Sequence, residues 1–173
     1  MKSLKFIIAG LICAIFINNQ VQAMGEKTIV DIAVGSKDHT TLVAALKAAD
    51  LVTTLSGKGP FTVFAPTNAA FDKIPADALA NLLKPENKAT LSGILTYHVV
   101  AGNIDAATLT DLIKKSKGTA VVKTVNGQEL KASIENGKVV LTDAKGGKAT
   151  VIAADLKASN GVIHVTDAVS MPK

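Results

Sequence analysis

An α+β fold is the expectation from three features of the sequence. Apolar residues recur at helical spacing between Thr28 and Ile113, alternation with Asn-Gly turns takes over beyond Gly118, and residues 61–71 form a strand–proline–helix corner. In that corner Phe61, Val63 and Ala65 alternate with Thr62 and Phe64, a content suited to a buried strand. Pro66 lacks an N–H and ends the ladder, and Thr67 or Asn68 is placed to cap the next helix. Phe71 then folds back on the strand, so both sides of the corner share one core.

Before the corner, Ile29, Ile32 and Ala33 make one helical face and Leu42, Val43, Leu46 and Ala49 a second, with capping candidates at residues 38–41 between them. Residues 50–55 continue as a short helix. After the corner, residues 75–83 form a helix with Pro75 in its first turn and Pro85 closing it, and residues 87–95 form another. Residues 97–102, Tyr-His-Val-Val-Ala-Gly, read as a strand bounded by glycine. Asp105 or Thr108 caps a helix through Leu112 and Ile113, whose end at Lys114, Lys115 and Lys117 complements the helix dipole. Strands follow at 119–125, 128–134 and 138–142, joined by Asn126-Gly127 and Asn136-Gly137, pairs that accept the positive φ angles of tight hairpins. Residues 143–148 read as a mobile loop. Two last strands, 149–156 and 162–169, turn through Ser159-Asn160-Gly161. No second core and no linker is visible in this pattern.

The first 23 residues read as an export signal: Lys2 and Lys5, an apolar run from Phe6 to Ile17, and Val21-Gln22-Ala23 as the cleavage site. A run of about a dozen residues is short of the roughly 20 that span a bilayer, so no stable span is expected after cleavage. Residues 24–173 then form a single domain. The one cysteine, Cys13, lies inside the signal, which leaves the exported chain without disulfides, thiol catalysis or thiolate metal ligands. Such a chain suits the periplasm or the medium of a bacterium. Loss of Lys2 and Lys5 lowers the charge excess from +5 to +3, and every basic residue is lysine. Nucleic acid is not an expected partner, since base readout favours arginine and a clustered basic face.

Reactive constellations are absent from the pattern. His39, His98 and His164 lack metal-ligand spacing. Ser159 is not in a nucleophile elbow, Gly146-Gly147 has no phosphate-loop context, and Asp31, Asp38 and Asp50 read as solvated or capping acids. No cofactor or enzymatic role is expected.

Three ordered stretches carry a resemblance. Residues 62–68, Thr-Val-Phe-Ala-Pro-Thr-Asn, resemble the opening signature of the fasciclin domain, with Ala69 in a place where that family has an acid. Tyr97-His98-Val99-Val100 resembles its central segment, with Ala101 where proline is frequent. Residues 155–169 resemble its closing signature, departing at Ser170. The resemblance implies a wedge of two antiparallel β-sheets, a β-sandwich, with helices packed along one side. It implies a non-enzymatic, exported module for adhesion or for interaction with a surface protein or polysaccharide. A second implication is a carrier of a small apolar ligand such as a carotenoid or lipid, in keeping with 48% hydrophobic residues. Animal members engage partners through a Tyr-His pair and an acidic-aliphatic pair, which points to Tyr97, His98, Asp155 and Leu156. Beside that stands the structural reading. A strand sends Tyr97 and His98 to opposite faces, one ring filling the core and the other bonding nearby backbone, and Asp155 braces the turn that follows it.

Overall fold

A computed structural model describes residues 27–173. The expected export signal, residues 1–23, lies outside the described residues.

Helices dominate as far as Lys115. Thr28 opens α1 (Ile29–Gly35) with a capping box, its hydroxyl accepting from Asp31 N–H while the Asp31 carboxylate accepts from Thr28 N–H. After a 3-10 turn at Lys37–His39 come α2 (Thr40–Ala48) and α3 (Val52–Leu55). Strand β1 (Phe61–Pro66) leads to Thr67, whose hydroxyl caps α4 (Asn68–Phe71) by accepting from Ala70 N–H. The chain continues through α5 (Ala76–Leu82), a 3-10 turn at Pro85–Asn87, α6 (Lys88–Tyr97), β2 (Val99–Ala101) and α7 (Ala106–Lys115), capped by Asp105. Then β3 (Thr119–Lys123), β4 (Glu129–Glu135), β5 (Lys138–Thr142), β6 (Lys148–Ala158) and β7 (Gly161–Thr166) complete it.

The expectation of two antiparallel sheets is corrected. There is one seven-stranded sheet in the order β2-β1-β7-β6-β5-β4-β3. Second and third from the β2 edge lies a parallel pair, β1 with β7, in the register Phe61↔Gly161 to Pro66↔Thr166. A bridge between Val100 and Thr124, with Val125 N–H donating to Val99 O at 2.7 Å, nearly closes the sheet on itself. The local hairpin signals are realised as β3–β4 and β4–β5, but the parallel pair joins segments about a hundred residues apart, which no local signal encodes.

The sheet separates two apolar clusters, where one core is expected from the sequence. Val63, Ala65, Phe71, Leu91, Leu95 and Ile163 pack with α1, α2 and α3 on one face. Phe64, Leu109, Ile113, Leu130, Leu141 and Ala149 fill the concave side. Both β1 and β7 are buried on two faces, so their alternation sorts side chains between cores instead of between core and water.

Residues 143–148, expected as a mobile loop, form a tight turn. The buried Asp143 carboxylate accepts from the N–H groups of Lys145 at 2.9 Å, Gly147 at 2.7 Å and Met171 at 2.8 Å. One acid thereby fixes its own turn and the C-terminal segment together.

Candidate functional site

Tyr97 and His98 are not in a strand. The apolar spacing of Leu91, Ile94 and Leu95 carries α6 on to Tyr97, and His98 is its C-cap. At that end the last carbonyls lack backbone donors. The His98 ring supplies one: Nδ1–H donates to Ile94 O at 2.8 Å, and Nε2 accepts from Ser170 N–H at 2.9 Å. These two bonds fix a neutral tautomer. Burial lowers the His98 pKa, opposed by the Ile94 bond and by Asp143. Tyr97 enters the concave core with 0% exposure; its hydroxyl donates to Glu129 O at 2.9 Å and accepts from Ala144 N–H at 3.1 Å. Burial raises its pKa. The strand reading fails because β-branched and aromatic content follows packing demands, and here a helix end meets them. The pair joins α6, β4, the turn at Asp143 and the C-terminal segment, and neither ring reaches the surface.

Asp155 and Leu156 sit in β6, where pairing with β7 slips between Ala153 and Leu156. Asp155 has a φ of +59°, the left-handed conformation that Asp tolerates better than most residues. Its carboxylate does not brace the turn at residues 159–161, as expected from the sequence. It accepts from Ala106 N–H at 2.7 Å, one of the free donors that open α7. Asp155 N–H donates to His164 Nδ1 at 3.4 Å, and His164 Nε2–H donates to Ile104 O at 2.8 Å. The buried His164 ring also stacks on Phe64, with centroids 5.5 Å apart. Thr62 completes the support by donating to Gly102 O and accepting from Ile104 N–H. Leu156 itself is 39% exposed, within a run of exposed residues at 152–157.

His98 and Leu156 do share one feature. Both line an apolar crevice of about 60 Å³ between α1, α2 and the β1–β7 pair, with Ile32, His39, Leu46 and Ile163 among its walls. Tyr97 and Asp155 are not part of it. Sequence reasoning passed over His39 as a residue without metal spacing, and its burial signal, a histidine between two apolar helical faces, was available.

Two asparagines read locally as cap and turn act at long range. Asn68 Oδ1 accepts from Thr41 N–H and the Thr40 hydroxyl, while its Nδ2 donates to Lys37 O, tying α4 to the start of α2. Asn160 Oδ1 accepts from Ile29 N–H and its Nδ2 donates to Leu55 O and Gly57 O. Their place in the signatures is thus explained by long-range bracing, Asn68 within the helical layer and Asn160 between that layer and the β6–β7 turn. Among the described residues no three His, Cys, Asp or Glu side chains converge as a metal site would require, and no helix is long and apolar enough to cross a membrane.

The fasciclin domain family model matches residues 37–172. Protein sll1483 of Synechocystis is 52% identical over 154 residues, covering 89% of this chain and 78% of that protein. Immunogenic protein MPB70 of Mycobacterium bovis is 35% identical over 157 residues, covering 88% and 72%. Among solved structures, a domain pair from the insect cell adhesion molecule fasciclin I superposes with a TM-score of 0.74 at 20% identity. That match covers 83% of this chain and 50% of the insect chain, and it shows the fold. The near-closed sheet packed with helices, the matched span and the relatives agree: the chain belongs to the fasciclin domain family.

Proposed function

We propose that this protein is an exported, non-enzymatic interaction module, periplasmic or secreted, that binds a surface protein or polysaccharide through the face around Asp155 and Leu156. The observation that carries this reading is the exposed run at residues 152–157, which stands beside a strand buried on both faces and presents Ile152 and Leu156 to solvent. Its backbone is held from behind by the Ala106 and His164 bonds, so little further ordering is needed on binding. In this reading Tyr97 and His98 serve recognition indirectly, by keeping the wedge folded. The insect cell adhesion molecule fasciclin I, which shares the fold, is in keeping with this class of function.

Immobilised protein is expected to retain bacterial cells, matrix protein or envelope polysaccharide above an inert control, and Leu156→Asp is expected to lower that retention. Retention equal to the control for all three would sink the proposal. A panel of hydrolase substrates is expected to stay at background. The alternative, a carrier of a carotenoid or lipid, is not favoured by the crevice, whose space of about 60 Å³ suits a handful of atoms and not a long chain.

A further inference from the structure

His39 has a chemical feature that the interaction surface does not use. It is 6% exposed at the start of α2, and its Nε2 is the one buried side-chain polar atom among the described residues without a hydrogen-bond partner. The ring's other nitrogen is engaged: Nδ1 lies 2.8 Å from Ser36 Oγ. That hydroxyl accepts from Asp38 N–H at 3.3 Å with one lone pair and can give its own proton to Nδ1, and in that tautomer the ring proton lies on Nε2. In that tautomer Nε2–H is a donor beside the Ala65 backbone, a neighbour that does not meet hydrogen-bond geometry.

An orphaned buried donor costs about 1–3 kcal/mol relative to a paired one. Water is a poor remedy here, because ordered buried water needs two to four polar partners. The walls are Ile29, Ile32, Leu42, Leu46, Val63 and Ile163, and Ser36 Oγ and both His98 nitrogens are already engaged. An apolar molecule with a single acceptor answers both demands at once.

We propose that the crevice between α1, α2 and the β1–β7 pair is a binding site for a small apolar molecule carrying one oxygen acceptor, such as a short-chain ketone, whose oxygen takes the proton of His39 Nε2. About 60 Å³ limits the enclosed part of the ligand to roughly half a dozen heavy atoms. Burial holds the ring below the usual histidine pKa, so a neutral acceptor suits it better than an acid needing a cationic partner. Leu156 on the crevice wall is the one residue shared with the proposed interaction surface.

The test is a titration of the purified protein with 2-pentanone and with 2-methyl-1-pentene, its near-isostere without the oxygen, followed by NMR of the histidine ring nitrogens and the methyl groups of Leu42, Leu46 and Ile163. The ketone is expected to shift the His39 Nε2–H resonance and those methyls together, at one common affinity. In His39→Phe the ketone is expected to bind about tenfold more weakly while the alkene loses nothing. Methyls silent to both probes, a Nε2–H resonance unmoved at ketone concentrations that saturate the methyls, or equal losses for both probes in the variant would each overturn the proposal. Should His39→Phe not fold, the wild-type Nε2–H resonance decides between the first two outcomes and binding. Retention of cells or glycans by immobilised protein reads the other surface and stands or falls separately.

Discussion

The Tyr97–His98 corner and the Asp155–Leu156 bulge are both matched to the family's signatures, yet they sit in opposite physical situations. At the corner every side-chain polar atom is buried and paired: the Tyr97 hydroxyl makes two bonds to backbone, and each His98 nitrogen makes one. At the bulge Asp155 is tied to Ala106 N–H by an exposed bond and to His164 by a half-buried one, while Leu156 and its neighbours face water. A motif shared across a family is therefore no guide to which residues meet a partner. The corner spends its chemistry on holding four segments together, and the bulge is where that rigidity is turned outward.

The largest expected effect falls on the corner. Tyr97→Ala empties a fully buried ring site and is expected to cost about 3–5 kcal/mol in denaturant unfolding, whereas Tyr97→Phe, which leaves Ala144 N–H and Glu129 O short of a partner, is expected to cost about 1–3 kcal/mol. If Tyr97→Ala left stability unchanged and abolished retention of cells, the roles of the two regions would be reversed.

Acid is the next means of separating them. Burial lowers the pKa of both His98 and His39, so the unfolded chain takes up protons on these rings before the folded one does. Stability is then fully present above the unfolded histidine pKa of about 6.5 and is lost as pH falls below it. Protonated His98 would also set its Nε2–H against Ser170 N–H. Unfolding free energy measured from pH 7.5 to 5 is expected to decline below pH about 6.5, with a shallower slope in His98→Gln and the remainder due to His39. Asp31 and Asp105, whose pKa values are lowered by their Thr28 and Thr108 capping bonds, add a separate loss only as pH falls below the usual carboxylate range.

At the bulge the effects on stability shrink. Asp155→Ala combines a left-handed φ with the lost bond to Ala106 N–H and is expected to cost about 1–2 kcal/mol by thermal unfolding, while Asp155→Asn, which keeps both an acceptor and tolerance of that φ, is expected to cost well under half of that. Leu156→Ser is expected to change stability by no more than about 0.5 kcal/mol and to be the variant that most reduces retention on the surface partner. A drop in stability comparable to that of Tyr97→Ala would mean that Leu156 is a core residue after all.

Legibility in the sequence followed the range of the interactions. Residues 138–142 were readable as β5 because alternation and an Asn-Gly turn are local, and Thr67 and Asp105 were readable among the capping candidates for the same reason. The end of α6 was not readable, because Tyr97 and His98 gain their partners from Glu129, Ala144 and Ser170, far along the chain. The loop at residues 143–148 looked mobile from its glycines and lysines, and what holds it is one carboxylate whose third bond reaches Met171.

By itself the sequence determined the mixed class, most of the helix starts, the hairpins and, through three ordered signatures, the family. Each of these rests on backbone preferences and side-chain spacing within a few residues. Tertiary structure alone decided that β1 and β7 pair in parallel, that one sheet curls round a second core, and that Asp155 braces α7 instead of its own turn. It also decided that His39, on the wall of an apolar crevice, keeps a buried Nε2 without a hydrogen-bond partner. Those outcomes depend on which distant segments the burial of apolar surface brings together, and a buried polar atom finds its partner, or lacks one, only after that packing is complete.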